Sequence, residues 1–519
     1  LFSKVLIANR GEIAVRVIRA CKELGVTAAA IYSDVDALSL HVFLADEAYR
    51  IGPEQPEQSY LNAEKIVELA ARIGAEAIHP GYGFLSQNPE FVRLCEKNGI
   101  VFIGPPAEVH ELAGNKIGAR NRAKEIGIKI LEASPPLDSV ESAVEWAEKI
   151  GFPVIVKPVG GGGGIGMQVC RNAKQLEEAF LTASKLAQAA FAKGEVFLEK
   201  YIPKARHIEV QILADQHGNV IHLGERECTI QRRFQKVLEE APSPALTERD
   251  DLREELFEAA VKYAEHVGYV NAGTVEFLYS PVEEEFYFLE LNSRIQVEHP
   301  VTESITHVDI VKEQIRIACG EELRYAQEDI EFVGHAMELR IYAEDPLNGF
   351  KPCPSTITTY IEPKGIGVRV ESSVYAGYTM PSLYDPLIAK LVVWGNDRQE
   401  AIVRAKRALD EFIIGGVKTN KSLFKAILED EAFVRGELST TFIRDRGIIK
   451  KVEKIESVKR EKQIPLLEST LEQVKVEVDG RIATVTWLRP LKARDIVEEA
   501  AKKRKVNTWV LTGRMEAMR

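Results

Sequence analysis

Two spacings of apolar residues alternate over about the first hundred positions. Short apolar runs of strand type are followed by segments in which apolar residues return every three or four positions. KVLIANRG gives a strand running into a turn at Gly11, EIAVRVIRACKELG gives an amphipathic helix closed by Gly25, and Thr27 to Ser33 gives the next strand. KIVELAARIGAEAIHPG and FVRLCEKNGIVFIGP repeat the unit. The pattern predicts a doubly wound βαβ domain.

The character then changes. A helical segment from Asn115 to Gly127 leads to the helix-like VESAVEWAEKIG, the strand FPVIVKP, five consecutive glycines from Gly160 to Gly164, and a strand from Met167 to Cys170. The run from Val196 to Pro242 predicts several strands of one antiparallel sheet. Glu199, Lys200 and Tyr201 end the first of them, and His207 and Glu209 begin the second. GTVEFLYS, from Gly273 to Ser280, and FYFLELNSRIQVEHP, from Phe286 to Pro300, read as a hairpin across an acidic turn, Pro281 to Glu285. Period two puts Glu290, Asn292 and Arg294 on one face with the leucines behind. A five-residue connection pairs Ser280 with Phe286 and sets Glu276 opposite Glu290. After Glu331 strands return, one carrying Arg340 and another Asp385, followed by the amphipathic helix RQEAIVRAKRALDEF. Lys450 to Gln463 mixes both charges and predicts a solvated helix or linker. VKVEVDGRIATVTW predicts a hairpin with Asp479-Gly480 as its turn, pairing Val476 with Ala483 and Val474 with Val485. A helix, Leu491 to Arg504, and a strand-like segment follow.

With 519 residues, 45% hydrophobic and 28% charged, the chain has ordinary globular composition and predicts three or four domains. A net charge of -11 argues against general nucleic-acid or acidic-membrane binding. The six cysteines are scattered without a CxxC pair, which argues against a disulfide framework or zinc site and fits a reducing cytoplasm. No apolar run reaches membrane-spanning length and a strand starts at once, so a soluble, untargeted protein is expected.

Composition does not suggest chemistry, but three stretches do. Opposed carboxylates about 5 Å apart destabilise a bare sheet, so Glu276 and Glu290 imply a divalent cation, and oxygen-only ligands favour magnesium beside nucleotide phosphates. The alternative is a solvated acidic face on an edge strand. The glycine run between two strands, with Lys157 just ahead of it, predicts a flap whose N–H groups meet phosphate oxygens; the alternative is a flexible linker. Gln231, Arg232, Arg233 and Lys236 form a basic knot suited to an anionic substrate. His207 taken alone reads as structural. The first turn lacks GxGxxG, so Arg10, Gly11 and Glu12 shape a turn there. The loop HPGYGFLSQNPEF, from His79, reads equally as a structural turn or a site wall.

The motifs NRGEIA, HPGYGFLS, the glycine flap, QRR-x-QK, LNSRIQVEHPVTE and GHAMELRIYAEDP, in this order over about 450 residues, resemble the biotin carboxylases, members of the ATP-grasp superfamily. The resemblance implies an α/β and α+β multidomain chain. A Rossmann-like domain would occupy residues 1–114, an ATP-grasp domain 115–330 with a lid over about 131–203, and a C-terminal domain 331–448. A charged linker and small α/β appendage would take 449–519.

By matching positions, the resemblance assigns Lys116, Lys157, Gly162, Gly163, Gly164, Gly166 and Met167 to the nucleotide phosphates and lid. Glu199, Lys200, Tyr201 and Ile202 would line the adenine pocket, with His207 near the ribose and Gln231 beside the nucleotide. Glu276 and Glu290, with Asn292, would hold magnesium, or manganese in its place. Glu298 would be the general base for bicarbonate, held by Lys236, Arg294, Gln296 and the Val297 backbone. Arg340 would stabilise the biotin enolate. ATP is the implied nucleotide, and biotin is a substrate on a separate carrier protein. The partners implied are that carrier, a second copy of the chain and a carboxyltransferase subunit, in the assembly of an acyl-CoA or pyruvate carboxylase.

Two positions depart from the family. Ile165 stands where the flap usually carries a basic residue, and Phe234 where some relatives have histidine; altered nucleotide affinity is expected, with the chemistry retained. The final MEAMR is similar to the acceptor motif of biotin carriers, but Arg519 stands in place of the acceptor lysine. Residues 469–519 are therefore read as an appendage that docks a partner subunit. Two other readings are an ATP-grasp ligase acting on a small amine and a nucleotide-binding subunit without turnover. The intact Glu276, Glu290, Arg294 and Glu298 disfavour the latter.

Overall fold

The computed structural model describes residues 1–159, 166–191, 195–461, 470–478 and 481–489. Strand β1 (Lys4–Ile7) is apolar on both sides, and each side meets a different layer. Val5 and Ile7 pack with Ile13 and Val17 of the helix Gly11–Glu23 and with Ile310 and Ile315 of the helix Ile310–Ala318. Leu6 and Ala8 pack with Ile66, Val67 and Phe91 on the other side. A strand buried on both faces suits a parallel sheet covered by helices. The sheet has the order β3-β2-β1-β4-β5, with β2 (Thr27–Ser33), β3 (Glu47–Gly52), β4 (Ala77–His79) and β5 (Val101–Phe102). The doubly wound reading of the first hundred or so residues holds.

A three-stranded sheet follows, β7-β6-β8, made of β6 (Val154–Pro158), β7 (Gln168–Cys170) and β8 (Val196–Lys200). It is backed by the helices Val140–Ile150 and Ala173–Phe191 through Ala143, Ala147, Leu176 and Phe180. This corrects the expectation that β8 joins the next strands in one sheet. One edge of β8 is taken by β6 and the other by bridges to Ala133 and Leu137, so no edge is left for β9. The glycine run, with Ile165, lies outside the described residues.

The largest sheet is antiparallel throughout, in the order β13-β12-β9-β10-β11-β14-β19-β18. Its strands are β9 (Arg206–Ala214), β10 (Val220–Arg232), β11 (Gln235–Ala241), β12 (Asn271–Ser280), β13 (Glu285–Asn292), β14 (His335–Tyr342), β18 (Val368–Ser372) and β19 (Leu387–Gly395). The short β15 (Glu344–Asp345) and β16 (Lys351–Pro352) pair with each other, and β17 (Thr359–Ile361) pairs with β20 (Ile413–Gly415). Asp385 precedes β19 rather than lying on it, because Pro386 has no N–H to continue the ladder.

The hairpin β12–β13 reaches the expected pairing by a different route. Ser280 pairs with Glu285, not Phe286, so the turn is one residue shorter. Phe277 pairs with Phe288, and Leu289 is then an extra residue, a β-bulge, after which Glu276 stands opposite Glu290. Leu291 goes into the core behind the sheet, whereas the bulged Leu289 turns into the cavity wall, a correction to the reading that both leucines pack behind.

The chain divides into two compact units, Leu1–Val452 and Glu453–Arg519. The charged stretch forms the helix Ile448–Glu461. In the second unit Thr470–Val478 pairs with Arg481–Arg489 in the predicted register, Val476 with Ala483 and Val474 with Val485. The Asp479-Gly480 turn and the expected helix Leu491 to Arg504 lie outside the described residues. Among the described residues no helix is long and apolar enough to cross a membrane.

Candidate functional site

Register places charge in a row across the large sheet. Glu290 on β13 faces Glu276 on β12, Glu276 faces Glu209 on β9, and Glu209 faces Arg226 on β10. Three adjacent carboxylates repel unless cations are supplied. Arg226, fully buried, supplies one and uses all five of its donors. Its Nε donates to Glu209 at 2.6 Å, Nη1 to Gln211 at 2.7 Å and Thr302 at 3.0 Å, and Nη2 to Thr274 at 3.1 Å and Gln296 at 2.6 Å. Lys236, at the start of β11, supplies the other. Its Nζ donates to Glu209 at 2.5 Å, Glu276 at 2.8 Å and Glu298 at 2.6 Å. Burial works against that ammonium, but Glu209, Glu276 and Glu298 outweigh it and hold it charged well above the usual lysine range. Removing one partner from a buried pair of this kind costs about 3–5 kcal/mol, so the groups are stable only as a set.

The turn after β13 carries the second half of the site. Glu298 sits at the N-cap of the helix His299–Thr306, and its carboxylate lies between Lys236 and Arg340, the latter on β14 and donating at 3.0 Å. Burial would raise its pKa, but Lys236 and then Arg340 hold it well below the usual carboxylate range. The group is anionic at neutral pH and can take a proton. Arg340 also lies 2.5 Å from Glu239. Glu239 and Glu338 face each other across β11 and β14, both fully buried, and burial pushes Glu239 up to about 7 and Glu338 well above its usual range. Gln296 donates to Glu276 at 2.7 Å. Arg294 donates to Gln87 at 2.8 Å and Asn292 at 3.0 Å, which makes the loop after His79 a wall of the site.

Lys236, Glu276, Arg294, Gln296, Glu298 and Arg340 line a cavity of about 750 Å³ between the large and the three-stranded sheet. All described residues that the family resemblance assigns lie in its wall except Gly166, which precedes Met167; Gly162, Gly163 and Gly164 lie outside the described residues. Elsewhere in the lining, Glu199 is paired with both Lys157 and Arg120. Lys116 opens the helix Lys116–Glu125, capped by the Asn115 side chain, which accepts from Gly118 N–H at 3.0 Å. Lys200, Tyr201 and Ile202 flank Glu199. His207 is held by Glu276 at 2.8 Å and Gln231 at 2.8 Å. Phe234 is exposed on the cavity rim with φ 64°.

Glu290 has no hydrogen-bond partner among the described residues and lines the cavity beside Glu276. An oxygen-only pair of this kind fits a hard divalent cation. Asn292 donates its amide to Glu276 at 2.9 Å.

The basic knot does not stay together. Gln231 turns to His207, Arg232 stacks 4.2 Å over the Phe350 ring and lies 4.0 Å from Glu344, Arg233 is exposed at a turn with φ 51°, and Lys236 joins Glu209, Glu276 and Glu298. Strand alternation and the left-handed turn at Arg233 and Phe234 separate them. Arg10 does more than shape its turn. It pairs with Asp36 at 2.7 Å and lies 4.4 Å over the Tyr384 ring. Sequence reasoning missed Arg226, Arg120, Glu239, Glu338 and Lys390. The available signal was a charged residue inside a strand that otherwise reads as buried, as in LIAKLVVW. A smaller cavity of about 320 Å³ adjoins the first and shares Val297, Tyr342 and Asp385 with it.

Three family profiles match the chain in order: "Biotin carboxylase, N-terminal domain" over residues 1–110, "Carbamoyl-phosphate synthase L chain, ATP binding domain" over 115–326, and "Biotin carboxylase C-terminal domain" over 338–445. The chain is 54% identical over 458 residues to a pyruvate carboxylase subunit of Methanothermobacter thermautotrophicus, covering 88% of this chain and 92% of that one. It is 50% identical over 450 residues to biotin carboxylase 1 of Bacillus subtilis, covering 86% of this chain and all (100%) of that one. Among solved structures it is similar to the biotin carboxylase domain dimer of Hydrogenobacter thermophilus 2-oxoglutarate carboxylase, in complex with MgADP, ADP and bicarbonate. The TM-score is 0.84 at 50% identity, covering 86% of this chain and 98% of that one. Biotin carboxylase from Campylobacter jejuni gives a TM-score of 0.83 at 44% identity, covering 86% and 99%.

Proposed function

The chain belongs to the biotin carboxylase family, and on that premise we propose how its residues divide the work of carboxylating biotin with ATP and bicarbonate. The nucleotide lies at the end of the cavity near Lys116, Lys157 and Glu199 to Ile202. Glu276 and Glu290, with Asn292 close by, hold magnesium, which when bound neutralises phosphate charge and polarises the γ-phosphate. Lys236, Arg294, Gln296 and the Val297 backbone hold bicarbonate at the other end. Glu298 takes the bicarbonate proton, and the freed oxygen attacks the γ-phosphate, giving carboxyphosphate and ADP. Carboxyphosphate breaks down to carbon dioxide and phosphate, and the phosphate takes the proton from the ureido nitrogen of biotin. Arg340 stabilises the enolate until it attacks carbon dioxide. Each step builds or moves negative charge, and fixed cations lie where it develops.

The observation that carries the reading is the Glu298 carboxylate held between Lys236 and Arg340, with Lys236 reaching Glu276 as well. Biotin arrives on a carrier protein, the carboxyltransferase is on another chain, and the enzyme works as a homodimer in the cytoplasm. The relatives named for pyruvate and 2-oxoglutarate carboxylase support this assembly. In a bicarbonate-dependent ADP-release assay with free biotin, Glu298→Gln is expected to lose about 10²–10⁴-fold in kcat. Nearly full activity in that variant would show that Glu298 is not the base.

A further inference from the structure

Lys390 lies inside β19, in the apolar run LIAKLVVW, and is fully buried (0% exposed). An ammonium survives in such a place only if its donors are used. Its Nζ donates to the Val297 carbonyl at 2.9 Å and lies 3.1 Å from Glu12 Oε1. Glu12, at the start of the first helix, accepts in turn from the Tyr82 hydroxyl, and the Tyr82 ring centroid lies 5.9 Å from the ammonium. Three distant parts of the chain therefore meet at one buried cation.

The register gives this contact its meaning. Lys390 is the direct cross-strand neighbour of Arg340, so two cations stand side by side on one face of the sheet, an arrangement that needs counter-charges. Arg340 holds the Glu298 carboxylate, and Lys390 holds the carbonyl of the residue before it. Glu371, the neighbour of Lys390 on β18, is engaged by Arg369 at 2.7 Å and Arg19 at 3.2 Å and so leaves Lys390 to Glu12 and Val297. Fixing the Val297 carbonyl fixes the plane of the peptide that leads into Glu298. Rotation of that plane would swing the carboxylate out of the fork between Lys236 and Arg340. Among the described residues, Glu199 pairs with Lys157 and Arg120, and neither Glu199 nor Lys157 bonds to Lys390, Glu12 or Tyr82.

We propose that Lys390 is a positioning residue for the Glu298 base, acting through the Val297 peptide, with Glu12 and Tyr82 anchoring its ammonium. The inference rests on Glu298 being the base. The step it serves is bicarbonate activation, so its loss acts on bicarbonate and leaves nucleotide binding in place.

The test is steady-state ADP release by the full chain with bicarbonate and ATP varied in turn. Lys390→Met keeps the aliphatic stem and removes the ammonium. Its kcat/KM for bicarbonate is expected to fall by about 30-fold or more while the KM for ATP stays within about twofold. Lys390→Arg, which keeps a donor for the Val297 carbonyl, is expected to recover about tenfold of that loss. Since Lys390→Met leaves Glu12 unpaired, Glu12→Gln is measured beside it. That variant frees the ammonium from its anchor and is expected to lower kcat/KM for bicarbonate by about three- to tenfold with the ATP KM unchanged. An equal change in the ATP and bicarbonate parameters, or wild-type kinetics in Glu12→Gln, overturns the positioning role. If Glu298→Gln is inactive and the Lys390 variants are not impaired, this inference alone falls. If Glu298→Gln keeps its activity, the base assignment falls first.

Discussion

Lys236 has three N–H groups and three carboxylate partners, and Arg226 has five donors and five acceptors. Polar groups buried at this density are stable only when every donor is used, and here that condition selects lysine at one position and arginine at the other. The Glu239 and Glu338 pair departs from that rule. Glu338 has no hydrogen-bond partner among the described residues, and burial, opposed by Arg340, holds Glu239 at about 7. In the unfolded chain a glutamate ionises near about 4.3. Between those values the folded protein keeps a proton that the unfolded chain has released, so this group favours folding at the acid end and loses that contribution as pH rises to about 7. Glu298 has the opposite sign and loses its contribution only below the unfolded carboxylate range. In urea unfolding from pH 4.5 to 7, Glu239→Gln is expected to flatten the fall in stability seen in the wild type. An unchanged slope would refute this assignment. None of this was legible in the sequence, where Glu239 and Glu338 are ordinary strand residues whose partners lie about a hundred positions away.

The hairpin β12–β13 was legible as an element because alternation and an acidic turn both mark it. The pairing of Glu276 with Glu290 was also right, yet only because two errors of one residue cancel, the shorter turn and the bulge at Leu289. Period-two spacing reports which face a residue takes; it does not report a bulge, nor which strand lies alongside. The same limit explains β8, whose sequence alternates like its successors but whose edges belong to a different sheet. Backbone approach is equally hidden. Gly334, just ahead of β14, has φ 73°, and a Cβ there would meet the Gly395 carbonyl oxygen at 2.3 Å. Gly334→Ala is therefore expected to cost at least about 1–2 kcal/mol from the left-handed backbone alone, with more from the contact. Thermal unfolding reads the effect, and an unshifted Tm would contradict it.

Across the whole molecule, one sheet runs from β13, with Glu290, to β19, with Lys390, and crosses the stretch between Thr306 and His335 where the sequence changes character. Motif order in the sequence revealed the family, because long motifs survive where pair partners do not. It could not reveal that β11 and β14 are neighbours, since nothing local encodes a contact across so much chain. Every residue placed in the site belongs to Leu1–Val452. A chain ended after Glu461 is thus expected to keep bicarbonate-dependent ADP release with free biotin within about twofold of the full chain. A large loss would give the final residues a part in the chemistry. Lys236 has one further consequence at this scale. Its ammonium touches both Glu276, which we propose holds the cation, and Glu298, which we propose serves bicarbonate. A divalent ion on Glu276 would compete for that carboxylate and release more of the ammonium charge to the other end. Around a closed thermodynamic cycle, whatever factor the ion adds to bicarbonate affinity bicarbonate must return to the ion. Bound at the proposed positions, the two ligands would therefore be coupled in equilibrium before any bond is made.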